Sequence, residues 1–331
     1  MKKTLLLLLV FLMGTTQIFA AKLRVNNRSG INANYTSLSS AIAAASAGDT
    51  IYVEPSSSSY GAVSLSKKLT IIGNGYFETP SPAFVGNTTL QADTNESKIS
   101  TFSFLAGSAG STVMGVVFSS YVYLYDSSIT LKRNSFWSYY LYFYTGVLNN
   151  IDVRQNFFYN AAVTYYSPSV STNINFQNNI FYNSTIGLPN DLSGFAQNNV
   201  FVGSSSGMNC YNFQVNNNIM ITGSFTPNNC VYFNNIGTST QFGNANNNQQ
   251  NVGTATLFAH YTTGTETRYT LSPTGPGIGA GFNGVDVGIF GGPDPYKLSG
   301  IPPVPTIYSL SAPATTVTNT LPVTISTRSN D

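Results

Sequence analysis

The chain has 331 residues, of which 42% are hydrophobic, 13% aromatic and only 8% charged, against about a quarter charged in an average soluble protein. The formal net charge of +2 comes from Lys2 and Lys3, and residues 21–331 carry 12 basic and 12 acidic groups. This balance excludes nucleic-acid recognition through a basic patch, which needs clustered Lys and Arg against phosphate, and it excludes a highly charged disordered tail. Polarity comes instead from 37 asparagines, with Ser, Thr and Tyr making up much of the rest.

In chain order, Met1-Lys2-Lys3-Thr4 is a basic start, residues 5–13 are an unbroken apolar run, and Ala20-Ala21 are small. That order predicts a secretory signal peptide over 1–20, and so a secreted, extracellular or cell-surface protein. The apolar run is shorter than the ~20 residues a membrane span needs. No other stretch approaches that length, so no transmembrane segment is expected. Next comes a helix, predicted over about 36–46. Leu38, Ile42 and Ala45 share one of its faces, and Gly48 is a stop signal. Ile51-Tyr52-Val53 then begins a strand, and Leu69-Thr70-Ile71-Ile72-Gly73 reads as the next one.

From about residue 113 to 240 a short phrase recurs. Its lines are Leu131-Lys132-Arg133-Asn134, Val153-Arg154-Gln155-Asn156, Phe176-Gln177-Asn178-Asn179, Ala196-Gln197-Asn198-Asn199, Val215-Asn216-Asn217-Asn218 and Tyr232-Phe233-Asn234-Asn235. Successive fourth-position asparagines lie 22, 23, 20, 19 and 17 residues apart. A period near twenty has room only for strands and turns, which predicts a solenoid. Within each unit the period is two. Ile129, Ile151 and Ile174, with Leu131, Val153 and Phe176, point one way, while Thr130, Asp152 and Asn175, with Lys132, Arg154 and Gln177, point the other. Apolar residues resume directly after the Asn, so the chain turns there, a place where Asn tolerates left-handed backbone. Coil upon coil, the asparagines are expected to hydrogen-bond as a side-chain ladder. Polar uncharged residues suit such stacking, because like charges would repel.

These lines resemble the right-handed parallel β-helix proteins, the pectin-lyase-like superfamily of pectate lyases, polygalacturonases and many secreted bacterial proteins without an assigned role. Asn179-Ile180-Phe181 looks like their coil, and Tyr35 to Val53 looks like their N-terminal capping helix and first strand. Ser272-Pro273, Gly277-Ile278-Gly279 and Val285-Asp286-Val287-Gly288-Ile289-Phe290-Gly291-Gly292 resemble their closing coil. The expected fold is therefore all-β, a parallel β-helix over 21–296 of about a dozen coils, roughly 5 nm long at the inter-strand spacing. A proline-rich C-terminal extension follows over 297–331.

The resemblance also implies where catalysis would sit. Polygalacturonase-like members use Asp pairs with a nearby His, and this chain has no Asp-Asp pair and a single His, His260, which reads as a partly buried structural residue. Lyase-like members use acidic residues to hold Ca²⁺ and a Lys or Arg as base. Lys132, Asp152 and Arg154 are the comparable group here, with one carboxylate against the six to eight oxygens calcium takes. An exposed ion pair is the plainer reading. Asp286, between glycines, reads as a partner of local backbone. Cys210 and Cys230 are twenty residues apart, about one coil, which brings them within reach of a disulfide. No metal site and no cofactor are expected.

Tyrosine supplies the remaining candidate. Tyr121, Tyr123 and Tyr125 alternate along one strand, and Tyr140, Tyr142 and Tyr144 repeat the pattern about a coil later. Such rings suit the flat apolar faces of sugars. The expected function is a monomeric binding or structural β-helix directed at a polysaccharide or cell-surface glycan, held on one face by these tyrosines with Lys132 and Arg154 at its edge. A polysaccharide lyase acting on uronate-containing glycans is the alternative.

Overall fold

The computed structural model describes residues 20–76, 92–93, 95–262, 266–313 and 320–330. The signal peptide expected over 1–20 thus lies outside the described residues except for Ala20. The chain winds into a parallel β-solenoid of about nine turns. Three sheets of ten, eight and eight strands run along it, each strand paired with its counterpart one coil away. A representative coil contributes Thr130–Lys132 to the first sheet, Ser135–Trp137 to the second and Leu141–Gly146 to the third.

The alternation read from the sequence decides what faces inward. Ile129, Leu131, Ile151, Val153, Ile174 and Phe176 are fully buried, and Phe195 and Val231, in register with Asp152 and Asn175, are exposed. Inside the second sheet, Phe136, Phe158, Phe181 and Phe201 stack ring on ring, with centroids 4.4, 4.7 and 4.8 Å apart and interplanar angles of 7, 11 and 9°. At the N-terminal end a helix over Leu38–Ala44 lies against the first coil, capped by the Ser37 hydroxyl accepting from Ser40 N–H. It buries Leu38, Ala41 and Ile42 in the main core. Apolar residues three and four positions beyond the first give that face.

The asparagine line is one continuous ladder. Asn134, Asn156, Asn179, Asn199, Asn218 and Asn235 are fully buried, and each uses its backbone N–H and Nδ2 to donate to the Oδ1 of the next asparagine, at 2.9–3.2 Å. Asn248 ends the series as acceptor from Asn235. From Asn134 to Asn235, each Nδ2 also donates to a first-sheet carbonyl of the preceding coil, as Asn179 does to Val153 at 2.8 Å. The left-handed residue of the turn is not the ladder Asn, as the sequence suggested, but the residue before it. Arg133, Gln155, Asn178, Asn198, Asn217 and Asn234 have φ between 52 and 59°. The ladder Asn must aim its amide inward, so the corner itself falls to the residue on the outside.

The closing part of the chain differs from the expected coil. In-coil strands end at Ile236–Gly237, and residues 280–302 run back along the outside of the solenoid, opposite to the direction of winding. The corner residues hold this strap in order. Asn234 Nδ2 donates to Ala280 O, Asn198 Nδ2 to the carbonyls of Asp286 and Gly288, and Asn178 Nδ2 to those of Ile289 and Gly291. Further down, Gln155 Nε2 donates to Pro295 O and Arg133 Nη1 to Ile301 O. Beneath the strap, Val117, Phe157, Ile180, Val200, Ile219 and Ile236 on the outer face of the second sheet are buried against Val287, Ile289 and Tyr296. The glycines of 288–292 permit the approach: a Cβ on Gly288 would lie 2.6 Å from Ile219 Cδ1. This use of the chain leaves about nine turns rather than a dozen. The 297–331 region also divides: its first residues belong to the strap, and Thr306–Ser311 pairs antiparallel with Thr324–Arg328. Among the described residues no helix is long and apolar enough to cross a membrane.

Candidate functional site

The tyrosines that alternate along one strand and again a coil later fall on the third sheet. Val122, Leu124, Leu141 and Phe143 take the inward positions and are fully buried. The outward row therefore carries the rings, with Tyr142 directly beside Tyr123 across the parallel pair. Their rings stack at 5.5 Å and 15°, and Tyr144 stacks on Tyr166 at 4.6 Å and 10°. Tyr121 packs edge-on against Tyr139 and Tyr140, and Tyr125 lies 4.7 Å from Tyr144. Tyr139, Tyr140, Tyr165 and Tyr166 are exposed, with 64% of Tyr166 open to solvent. Tyr139, Tyr165 and Tyr166 thus extend the surface beyond the six rings that alternation identified. The Tyr-Tyr doublets 139–140 and 165–166, on successive coils, were the available signal.

This surface is electrically quiet. Burial, followed by the neighbouring phenols, raises the Tyr123 and Tyr142 hydroxyls above their usual value, so they stay protonated through neutral pH. The strands Val122–Leu124, Leu141–Gly146 and Ala162–Pro168 carry no charged residue. What they offer is a flat, partly pre-packed set of apolar ring faces with hydroxyl rims.

Lys132, Asp152 and Arg154 lie elsewhere. Their register is as read: Lys132 pairs with Arg154, and Thr130 with Asp152, on the outer face of the first sheet. They stand on the first sheet and the tyrosines on the third, and residues 147–150 lead from Leu141–Gly146 into Ile151–Arg154. Both cations are paired in this arrangement. Asp294 of the strap accepts from Lys132 Nζ at 3.0 Å and Arg154 Nη1 at 3.2 Å, while Arg154 Nε lies 2.9 Å from Asp152 Oδ2. Burial pushes the Asp294 carboxyl up, but Lys132, Arg154 and the Gln155 amide outweigh it and hold it below the usual carboxylate range. For Lys132 the balance is opposite: half-buried, it loses more to desolvation than its one carboxylate returns, and its pKa is lowered. Asp152 is raised, by burial first, despite Arg154. A carboxylate with two cations settles differently from a cation sharing one carboxylate. Asp294, 140 residues beyond Arg154, was invisible to local spacing.

His260 is exposed rather than partly buried. Phe258 is buried there and bridges to Leu271, and His260 beyond it lines a 300 Å³ depression. Asp286 does bond local backbone, accepting from Gly279 N–H at 2.8 Å. Among the described residues no group of three or more His, Cys, Asp or Glu is placed to hold a metal. A second open feature is a 500 Å³ groove on the first sheet, where Phe195 is flanked by the amides of Asn173, Asn212, Gln214 and Asn229. No protein-family model matches the chain, and no curated protein sequence matches it.

Proposed function

We propose that the protein is an exported right-handed parallel β-helix of the pectin-lyase-like kind, whose third-sheet tyrosine surface binds a polysaccharide. The observation that carries this reading is the ladder of outward rings on three successive coils, centred on the Tyr123–Tyr142 and Tyr144–Tyr166 stacks. Rigid sheet holds the rings, so little side-chain entropy is lost when a sugar face settles on them. The strands beneath are uncharged, and Lys132 and Arg154 are paired with Asp294, so the polymer best matched is a neutral one. The uronate-lyase alternative would need Lys132 or Arg154 released from Asp294.

Affinity electrophoresis tests the reading. Mature protein should be retarded in gels containing a neutral β-glucan or galactan more than in gels containing polygalacturonate. Y140A/Y142A should reduce that retardation several-fold with little change in thermal midpoint, as for other substitutions at partly open sites. Equal migration of the two proteins on every neutral polymer, with both folded, would remove the tyrosine surface as the binding site. Release of unsaturated uronate by the wild type would favour the lyase.

A further inference from the structure

Cys210 lies near the end of the strand Gly207–Tyr211 and is fully buried, while Cys230 precedes Val231–Phe233 and is partly exposed. The two sulfurs lie 3.1 Å apart across the coil boundary, and Cys230 Sγ also faces the Cys210 carbonyl at 3.3 Å. Nothing else around them explains a paired thiol. Among the described residues no third His, Cys, Asp or Glu joins them to hold a metal. The location does explain it. Ser224–Asn228 and Val231–Phe233 are the last strands of the third and first sheets, each with a neighbour on one side only. Terminal units of a stacked array have one interface instead of two, and they fray first.

We propose that Cys210 and Cys230 are an oxidation site, forming a disulfide that staples the terminal coil to the coil beneath it. The oxidant is a disulfide, either a small one such as cystine or that of a thiol oxidoreductase. Cys230 is the attacking sulfur, since it is the reachable one, and the Cys210 thiol hydrogen-bonded to it holds it down to about 6. Its thiolate displaces one thiol from the oxidant and forms a mixed disulfide. Cys210 then gives up its proton and attacks Cys230 Sγ, releasing the second thiol. Two electrons pass to the oxidant, and the two protons leave on the two released thiols. Export to an oxidising compartment provides the conditions for this step.

Thiol labelling of the full mature protein, made in an oxidising compartment and unfolded in urea with iodoacetamide, tests this. The expected result is no alkylation until a reductant is added, then alkylation at both positions. No Lys or Arg lies between Arg154 and Arg268, so chymotryptic rather than tryptic fragments are needed to separate the two cysteines and identify the cross-linked pair. Reduction should lower the thermal midpoint by about 5–10 °C, and C210A/C230A should show the lower midpoint with no response to reductant. Should the double variant not fold, reduction of the wild type alone gives the same comparison. Two alkylated cysteines before reduction, disulfide-linked dimers, or a midpoint indifferent to reductant would each overturn the proposal.

Discussion

Asn179 sits mid-ladder with no exposed surface, and its replacement by Ala isolates what the asparagines contribute. The substitution removes Oδ1, the acceptor for the backbone N–H of Asn156 at 2.9 Å and for its Nδ2 at 3.0 Å. It also removes Nδ2, the donor to Val153 O at 2.8 Å and to Asn199 Oδ1 at 3.0 Å. Asn156 Nδ2 keeps Leu131 O, and Asn199 Oδ1 keeps the Asn179 backbone N–H. One backbone N–H is therefore left buried without this acceptor, at about 1–3 kcal/mol, and each other lost bond adds about 1 kcal/mol. The sum is about 3–5 kcal/mol after some relaxation. Urea unfolding followed by intrinsic fluorescence, compared at a common slope, reads it. Asn209→Ala is the control: the same residue type, exposed on the third sheet, with an expected cost under about 0.5 kcal/mol. Asn179→Asp adds a sign. Its carboxylate accepts from Asn156 but turns an unprotonated oxygen toward Val153 O and Asn199 Oδ1. Its folded pKa therefore rises above the unfolded value of about 3.9, the native state holds the proton more tightly, and the penalty should shrink as pH falls through the raised value. If Asn179→Ala costs no more than Asn209→Ala, the ladder is a consequence of stacking and not a source of stability.

Two further outcomes concern the strap. Asp294 has a depressed pKa, so its stabilisation is complete above the unfolded carboxylate value and is lost as pH falls through the folded one. Asp294→Asn should abolish that acid response, loosening residues 286–301 by about 1 kcal/mol, small because the ion pairs are partly solvated. Amide exchange of that segment with and without the substitution checks it, and unchanged exchange at neutral pH argues against a holding role. Gly291→Ala would place a Cβ 1.8 Å from Asp286 O and 2.7 Å from Asn198 Nδ2. The strap must shift, at about 1–3 kcal/mol, with raised protease sensitivity there; a neutral result would mean the close approach is not required.

The winding was legible because it repeats. Six asparagines at a period near twenty, flanked by alternation of period two, leave few other folds, and like residues do stack on like. The outward tyrosines were legible for the same reason. The strap was not, because its partners are single polar residues spread over the coils, each pairing with a carbonyl that any residue carries. Two local signals pointed to it. Consecutive apolar residues such as Ile180-Phe181 and Val200-Phe201, buried in the structure, mark strands covered on both faces, which a bare solenoid wall would not supply. Arg133 and Gln155 occupy left-handed corners that Asn fills from Asn178 to Asn234, a strained choice unless the longer side chain has something to reach. The pairing of Lys132 and Arg154 was hidden for the same reason: their partner Asp294 lies on the strap, far along the chain.

Stacked arrays ordinarily gain or lose units freely, since each touches only its neighbours. Here the strap works as a measuring rod laid against the stack. Its successive carbonyls are matched to Asn234, Asn198, Asn178, Gln155 and Arg133 in reverse chain order. Deleting one coil between Arg133 and Asn234 would shorten the stack by about 4.8 Å without shortening the rod, and every partner beyond the deletion would fall out of step. The number of coils in that interval is therefore inherited as a unit with the 280–302 segment, and a change in either has to be answered in the other.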